Sequence, residues 1–240
     1  MFTGIVQGVA TVEGIEARAG LHTLRLRLPQ GFDGELAIGA SVACDGVCLT
    51  VTERPDADVA LFDVMAQTLS LTTLGGLQVG SGLNVERAAK EGAEVGGHPL
   101  SGHVDVSATI VELRRPDNNH VLRFSLPAPW MRYVFAKGYI GVNGCSLTVA
   151  EAQRERDGSG WFEVWLIPET LRMTTFGDKQ VGDAVHIEIE RSTQVVVDTV
   201  RDALDEKLDA LAPLLEAWAA ERGVDLTALP KTVCTRPPKP

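Results

Sequence analysis

The chain has no apolar run approaching the ~20 residues that a membrane-crossing helix needs, so no membrane association is expected. Its opening, MFTGIVQG, carries no basic region and no long apolar stretch. No secretory signal is therefore expected, and the cytoplasm is the expected location. Positive charge is scarce: 22 Lys and Arg stand against 32 Asp and Glu, a formal charge of −10. This argues against nucleic acid as the main partner, because phosphate neutralisation needs a basic surface. Cysteine is limited to Cys44, Cys48, Cys145 and Cys234; without a secretory signal these read as free thiols. The Gly-rich stretch GGLQVGSG, from Gly75 to Gly82, lacks the Lys-Ser/Thr of a phosphate loop. No Gly-x-Ser-x-Gly elbow surrounds any serine. No nucleotide-binding half with a Gly-rich strand-to-helix turn is found either. What remains is ordinary for a soluble globular protein: 240 residues, 45% hydrophobic and 22% charged.

Within that ordinary composition the chain repeats itself. Sliding it by 98 residues lays Gly4 on Gly102, ATV at Ala10 on ATI at Ala108, and LRLRLP at Leu24 on LRFSLP at Leu122. It also lays Gly46 on Gly144 and LTV at Leu49 on LTV at Leu147. Past Arg156–Gly160 the offset becomes 102, as a four-residue loop insertion there would give. Thr68-Leu69 then meets Thr170-Leu171, QVG at Gln78 meets QVG at Gln180, and Glu86 meets Glu188. This is a duplicated domain.

Each copy reads as β. Leu24, Leu26 and Leu28 alternate with polar residues, as do Leu122, Phe124 and Leu126. Asp45-Gly46 and Asn143-Gly144 are turn dipeptides. Short strands at close intervals predict a small barrel of about six strands per copy. A short helix is expected in APWMRYVFAKG, stopped at Lys137-Gly138. From Thr193 to Ala220 the period changes: Val197, Val200, Leu204, Leu208, Leu211, Leu215 and Trp218 form a helical stripe, with a break expected at Pro213. The stripe has no obvious partner in two closed barrels. It serves oligomerisation in one reading and packs back on its own subunit in the other. The expected units are 1–97, 98–191, an oligomerisation helix with extension over 192–222, and a disordered tail over 223–240.

Candidate chemistry is sparse. Cys44, Cys48, His98 and His103 hold zinc-type donors, but their order and separation do not match paired-finger spacings, so no metal is expected. In GGHPLSGHVD, from Gly96 to Asp105, the glycines let backbone approach a planar ligand and the imidazoles suit proton transfer near neutral pH. Equally, these histidines could bond only to backbone. Cys48 is a candidate nucleophile or a small core residue. From the residues alone, the chain is a duplicated β-barrel protein that binds a small polar ligand.

Read together, MFTGIVQG, DGVCLTV, NVERA, GGHPLSGHVD, KGYIGVNGCSLTV and LIPETL resemble the α-chain riboflavin synthases of the lumazine-binding family, over about residues 1 to 200. The resemblance implies an all-β fold of two tandem six-stranded Greek-key barrels plus a C-terminal helix, assembled as a homotrimer through that helix. It implies a dismutation in which one 6,7-dimethyl-8-ribityllumazine donates a four-carbon unit to another, giving riboflavin and a ribitylaminopyrimidinedione. Donor and acceptor are the same compound, so no cofactor is implied. Association with lumazine synthase is a further partner that the family admits.

Carried over by position, one pocket on the first barrel would use Gly4, Ile5 and Val6, with Cys48, Leu49 and Thr50. It would continue through a strand from Asp63 to Thr68 (Asp63, Val64, Met65, Ala66, Gln67, Thr68) and through Gly102, His103 and Val104. The second pocket would use Ser146, Leu147 and Thr148, with Ile167, Pro168, Glu169, Thr170, Leu171 and Arg172. Lys137 would reach across a subunit interface, where the first copy has Gly39. Ser41, Cys48 or a held water is the implied nucleophile, His103 handles protons, and Glu190 stands where the family usually has Asp. Its other reading is a solvated strand-end acid. The family also contains lumazine proteins, which hold the ligand without turnover; the intact second-copy motifs favour the enzyme. The extension beyond Asp209 is longer than the resemblance leads one to expect.

Overall fold

The structure is a computed structural model and describes residues 1–32, 34, 36–117 and 119–223; the expected tail from residue 224 and Cys234 lie outside the described residues. Six strands build each barrel. In the first they are β1 (Gly8–Arg18), β2 (Leu21–Arg27), β3 (Ser41–Cys44), β4 (Val47–Asp56), β5 (Val59–Met65) and β6 (Gly82–Arg87). In the second they are β7 (Val106–Arg114), β8 (His120–Leu126), β9 (Tyr139–Val142), β10 (Cys145–Arg154), β11 (Gly160–Leu166) and β12 (Ala184–Glu188). Both barrels are closed, in the cyclic orders β1-β2-β5-β4-β3-β6 and β7-β8-β11-β10-β9-β12. In each, the second strand pairs with the fifth rather than the third, which is a Greek-key crossing.

Alternation drives the closure. Leu24, Leu26, Phe62, Val64, Leu83 and Val85 turn inward in the first barrel. Leu122, Phe124, Phe162, Val164, Val185 and Ile187 do so in the second. Ring centroids of Phe124 and Phe162 lie 5.1 Å apart in the second core. Register shifts fall at equivalent places, Val12/Gly14 with Ile110/Glu112 and Val51/Glu53 with Val149/Glu151. Such bulges bend a strand and increase its twist, which lets a short sheet close on itself. The hairpin between β10 and β11 is longer than that between β4 and β5, where the change of offset placed an insertion.

Three local expectations are corrected. The segment Asp63–Thr68 is not all strand: β5 ends at Met65, and Ala66–Leu71 forms helix α1, because Ala, Gln and Leu favour a helix once the chain leaves the barrel. Its counterpart is α3 (Pro168–Met173), with Pro at its first position. The helix expected in APWMRYVFAKG is a single turn, α2 (Ala128–Met131), after which the chain turns and Lys137 takes a positive φ of 67°. Helix α4 runs unbroken from Arg191 to Arg222 through Pro213 and ends on Gly223 at φ 64°. A proline removes one rung of the ladder, but the Ala- and Leu-rich turns on both sides carry the helix on.

Tyr133 Oη donates to Asp198 at 2.7 Å and ties the first turns of α4 to the second barrel. Beyond them Val200, Leu204, Leu208, Leu211 and Leu215 are exposed. No described helix is long and apolar enough to cross a membrane.

Candidate active site

Two equivalent constellations lie on the outer walls of the barrels, at their junction. Phe2 and Leu100 form an antiparallel bridge, Phe2 N–H to Leu100 O at 2.8 Å and Leu100 N–H to Phe2 O at 3.0 Å. The chain segments flanking this bridge cross over. The Gly4 carbonyl accepts the Ser146 N–H of β10 at 2.8 Å, and the Gly102 carbonyl accepts the Cys48 N–H of β4, also at 2.8 Å.

Buried carboxylates hold the crossing segments. Glu86 accepts from Thr3 N–H (2.6 Å), Thr3 Oγ1–H (2.7 Å) and Gly4 N–H (3.0 Å). Glu188 accepts from Ser101 N–H (2.6 Å), Ser101 Oγ–H (2.7 Å) and Gly102 N–H (3.0 Å). Burial pushes both carboxyl groups above the usual range, against these hydrogen bonds. Glycine is required at the crossing points. Gly4 and Gly102 have φ of 75° and 80°, and a Cβ would stand 2.5 Å from Ser146 Cβ and 2.6 Å from Cys48 Cβ.

This crossing corrects the grouping of the first pocket. Gly4, Ile5 and Val6 belong beside Ser146 on the second barrel, and Val6 packs into that barrel's core. The structure brings Cys48, Thr50, Gly102, His103 and Val104 together on the first, where Val104 packs against the core. The cause is chain direction: an antiparallel bridge sends each crossing strand onto the barrel opposite to its own. Leu49, Leu147 and Val64 point into the barrel cores, so only their backbone faces outward. Cys48, Thr50, Ser146 and Thr148 lie on the outer face.

The two walls differ where chemistry is concerned. His98 is buried, with Nδ1 2.6 Å from Ser146 Oγ, and its ring stacks on Tyr139 at 5.4 Å and 20°. Burial lowers its pKa, partly offset by the charge of Glu190, so it is a neutral base at physiological pH. Its Nε2 has no partner among the described residues. Such a pair can polarise a hydroxyl or take a proton from a bound ligand. Tyr139 occupies the place that Ser41 has in the first copy: Ser41 faces Thr50 across the ladder, and Tyr139 faces Thr148. His103 is exposed and its own counterpart is Ile5, so each wall receives one imidazole from a different position. The sequence position of His98 fits metal, ligand and linker roles alike. The 98-residue offset alone places Tyr139 on Ser41.

The remaining candidates are spread around these walls. Asp63 is held by Thr23 Oγ1–H at 2.7 Å. Met65, Ala66, Gln67 and, less fully, Thr68 face outward, as do Ile167, Pro168 and Glu169, with Thr170 and Leu171 half-buried. Arg172 pairs with Glu169 at 2.6 Å. Lys137 is exposed, and its N–H donates to Val149 O at 2.7 Å, as the Gly39 N–H donates to Val51 O at 2.8 Å. Gly39 has φ 86° and Lys137 φ 67°, so a lysine sits in a left-handed turn that the first copy gives to glycine. Non-glycine residues held there carry about 1–2 kcal/mol of strain. Glu190 stands at the start of α4, accepting from the Thr193 hydroxyl at 2.6 Å and from that of Ser192. These hydroxyls hold its carboxyl below the usual range. A cleft of about 480 Å³ opens beside the first crossing segment, lined in part by Thr3, Ile5, Gln7, Glu86 and Arg87.

Burial keeps the thiols of Cys44 and Cys145 protonated, that of Cys145 being pushed up to about 12. Neither is a nucleophile. Cys48, half-buried on the outer wall, is the accessible thiol among the described residues.

Fold and site together define a duplicated-barrel protein, one wall frame written twice on two Greek-key barrels. The lumazine binding domain family matches residues 3–88 and 101–190, one match per barrel. Riboflavin synthase of Escherichia coli (strain K12) is 45% identical over 88% of this chain and 97% of its own. Riboflavin synthase of Mycobacterium tuberculosis (strain ATCC 25618 / H37Rv) is 42% identical over 85% and 100%. Among solved structures, LumP with 6,7-dimethyl-8-(1'-D-ribityl) lumazine superposes with a TM-score of 0.70 at 22% identity, covering 80% of this chain and 100% of that one; this supports the fold. The chain belongs to the riboflavin synthase family of lumazine-binding proteins.

Proposed function

We propose that the protein converts two molecules of 6,7-dimethyl-8-ribityllumazine into riboflavin and 5-amino-6-(D-ribitylamino)uracil. The observation that carries this is the doubled frame. Two outer walls present the same backbone groups, Gly4 with Ser146 and Gly102 with Cys48, as a reaction between two copies of one compound requires. The family relatives named riboflavin synthase support the same activity.

Each wall lies on the outside of its barrel, so a pocket closes only when a second wall faces it. The exposed stripe of α4 supports a trimer in which the first barrel of one subunit faces the second barrel of another. Lys137 then reaches the neighbouring ligand, and its strained backbone is consistent with a functional demand on that position. Thr50 and Thr148 hold ribityl hydroxyls, and outward backbone N–H and C=O groups read the amide-like rim. His103, or the His98–Ser146 pair, takes the proton from the acceptor's C7 methyl; Cys48, Ser41 or a held water attacks the donor. Bringing the two ligands together supplies acceleration on the order of 7–11 kcal/mol in favourable cases. The expected location is the cytoplasm, and lumazine synthase is a partner the same reading admits.

The test is to mix purified protein with 6,7-dimethyl-8-ribityllumazine alone. Riboflavin fluorescence with release of the pyrimidinedione supports the proposal. Bound but unchanged lumazine would make the protein a ligand carrier instead.

A further inference from the structure

Between the barrels lies a buried polar clasp that the proposed chemistry does not use. Asn84 on β6 and His186 on β12 occupy equivalent places in the two copies, and both are 1% exposed. Asn84 reaches into the second barrel: Nδ2–H donates to Asn143 O at 3.0 Å, and Oδ1 accepts from Thr175 N–H at 2.8 Å. His186 reaches into the first: Nε2 accepts from Thr73 N–H at 2.7 Å, which puts its proton on Nδ1, 2.8 Å from Asp45 O. One imidazole tautomer thus reproduces the donor and acceptor of a carboxamide.

The two threonines mark what the clasp holds. Thr73 opens the 3₁₀ turn Thr73–Gly76 that follows α1, and Thr175 opens the turn Thr175–Gly177 that follows α3. Under the proposed function, on which this inference rests, α1 and α3 each carry part of a ligand pocket.

We propose that His186 and Asn84 are reciprocal positioning residues, each barrel's last strand fixing the pocket helix of the other, and that a second proton on His186 loosens the first barrel's pocket alone. A carboxamide at Asn84 cannot be protonated in the same range, so the second barrel's pocket lacks this response. The ionisable groups bearing on His186 are Asp45, whose carbonyl it binds, and Lys179 beyond the second 3₁₀ turn. Asp45 is buried, and its carboxyl is pushed up to about 7, so it supplies little countercharge in acid. Burial accordingly lowers the His186 pKa to about 4.

Amide hydrogen exchange, corrected for intrinsic rate, reads the clasp directly. At pH 7, His186→Ala should speed exchange across residues 66–76 about five- to tenfold, the factor one ordinary hydrogen bond gives, and leave 168–177 unchanged. Asn84→Ala should do the reverse. His186→Asn should restore most of the lost protection. In the unaltered protein, acidification from pH 7 to 4 should loosen 66–76 first, and His186→Asn should abolish that response. Lumazine titration should show one of two sites weakened by a similar factor in His186→Ala.

Equal loosening of both segments, or unchanged exchange over 66–76, overturns the proposal. If His186→Ala does not fold, the acid series on the unaltered protein decides. Absence of turnover in the unaltered protein would overturn the catalytic reading and leave the exchange result standing.

Discussion

Replacing Gly102 by alanine should do much more damage than replacing a glycine of the same backbone conformation elsewhere, and the difference can be worked out beforehand. Gly31 is the matched control: its φ is 80°, equal to that of Gly102, and nothing lies within 4 Å of where a Cβ would stand. Gly31→Ala therefore carries only left-handed strain, about 1–2 kcal/mol. That is offset by about 0.4–1 kcal/mol from a stiffer unfolded chain, leaving a loss of roughly 1 kcal/mol.

At Gly102 the added Cβ would stand 2.6 Å from Cys48 Cβ, 2.8 Å from Phe2 Cε2 and 3.0 Å from Cys48 N. Overpacking of that kind adds about 1–3 kcal/mol. Pushing the segment off β4 also breaks the Gly102 C=O bond to Cys48 N–H, about 1 kcal/mol more. The sum is roughly 3–5 kcal/mol. Urea unfolding of both variants, with unchanged m-values, measures the difference, and lumazine titration of the folded variants measures the site. If Gly102→Ala fell within ~1 kcal/mol of Gly31→Ala and kept ligand binding, the close approach of Gly102 to β4 would not be what shapes the wall.

Lys137→Gly should leave stability unchanged or raise it by up to about 1 kcal/mol, because strain is relieved, while activity falls; loss of both would show that the lysine is structural. Stability in acid should carry two opposing contributions. The folded-state pKa of His186, lowered to about 4, lies below its ordinary 6.5, so the unfolded chain binds more protons between them. The stability present above pH 6.5 is then lost as pH falls towards 4, by roughly 3 kcal/mol at most. Asp45, raised to about 7, acts with the opposite sign, its burial penalty growing as pH rises through the same window. Urea melts from pH 4 to 8 should show His186→Asn and Asp45→Asn tilting the profile in opposite directions; parallel profiles would refute the assignment. The paired change Leu204→Asp and Leu208→Asp, at exposed positions of α4, should reduce the proposed trimer to monomers in sedimentation without unfolding the barrels.

Much of the architecture was legible because it rests on local chemistry repeated twice. Alternating Leu24–Leu28 and Leu122–Leu126, the Asp45-Gly46 and Asn143-Gly144 turns, and the equivalence of Glu86 with Glu188 all follow from period, turn residues and offset. The stop of β5 at Met65 was missed because propensity separates strand from helix poorly over a few residues. Pro213 misled because a proline's local penalty does not decide a helix whose flanks are strong helix formers. The crossing of Gly4 onto Ser146 was out of reach, since periodicity assigns a residue to a face and not to a neighbouring barrel. His98 was visible only as a spacing; its partners, Ser146 and Tyr139, lie far away in sequence and are brought together by the fold.

The crossed segments also change how lesions in this chain should be grouped. A defect at Gly4 lies in the first half of the gene, yet it should behave as an allele of the Ser146 wall in the second. A defect at Gly102 should group with Cys48. Complementation between differently damaged subunits should therefore follow spatial walls and not the order of the repeats. Two lesions in one repeat can strike different pockets, and two in different repeats can strike the same one.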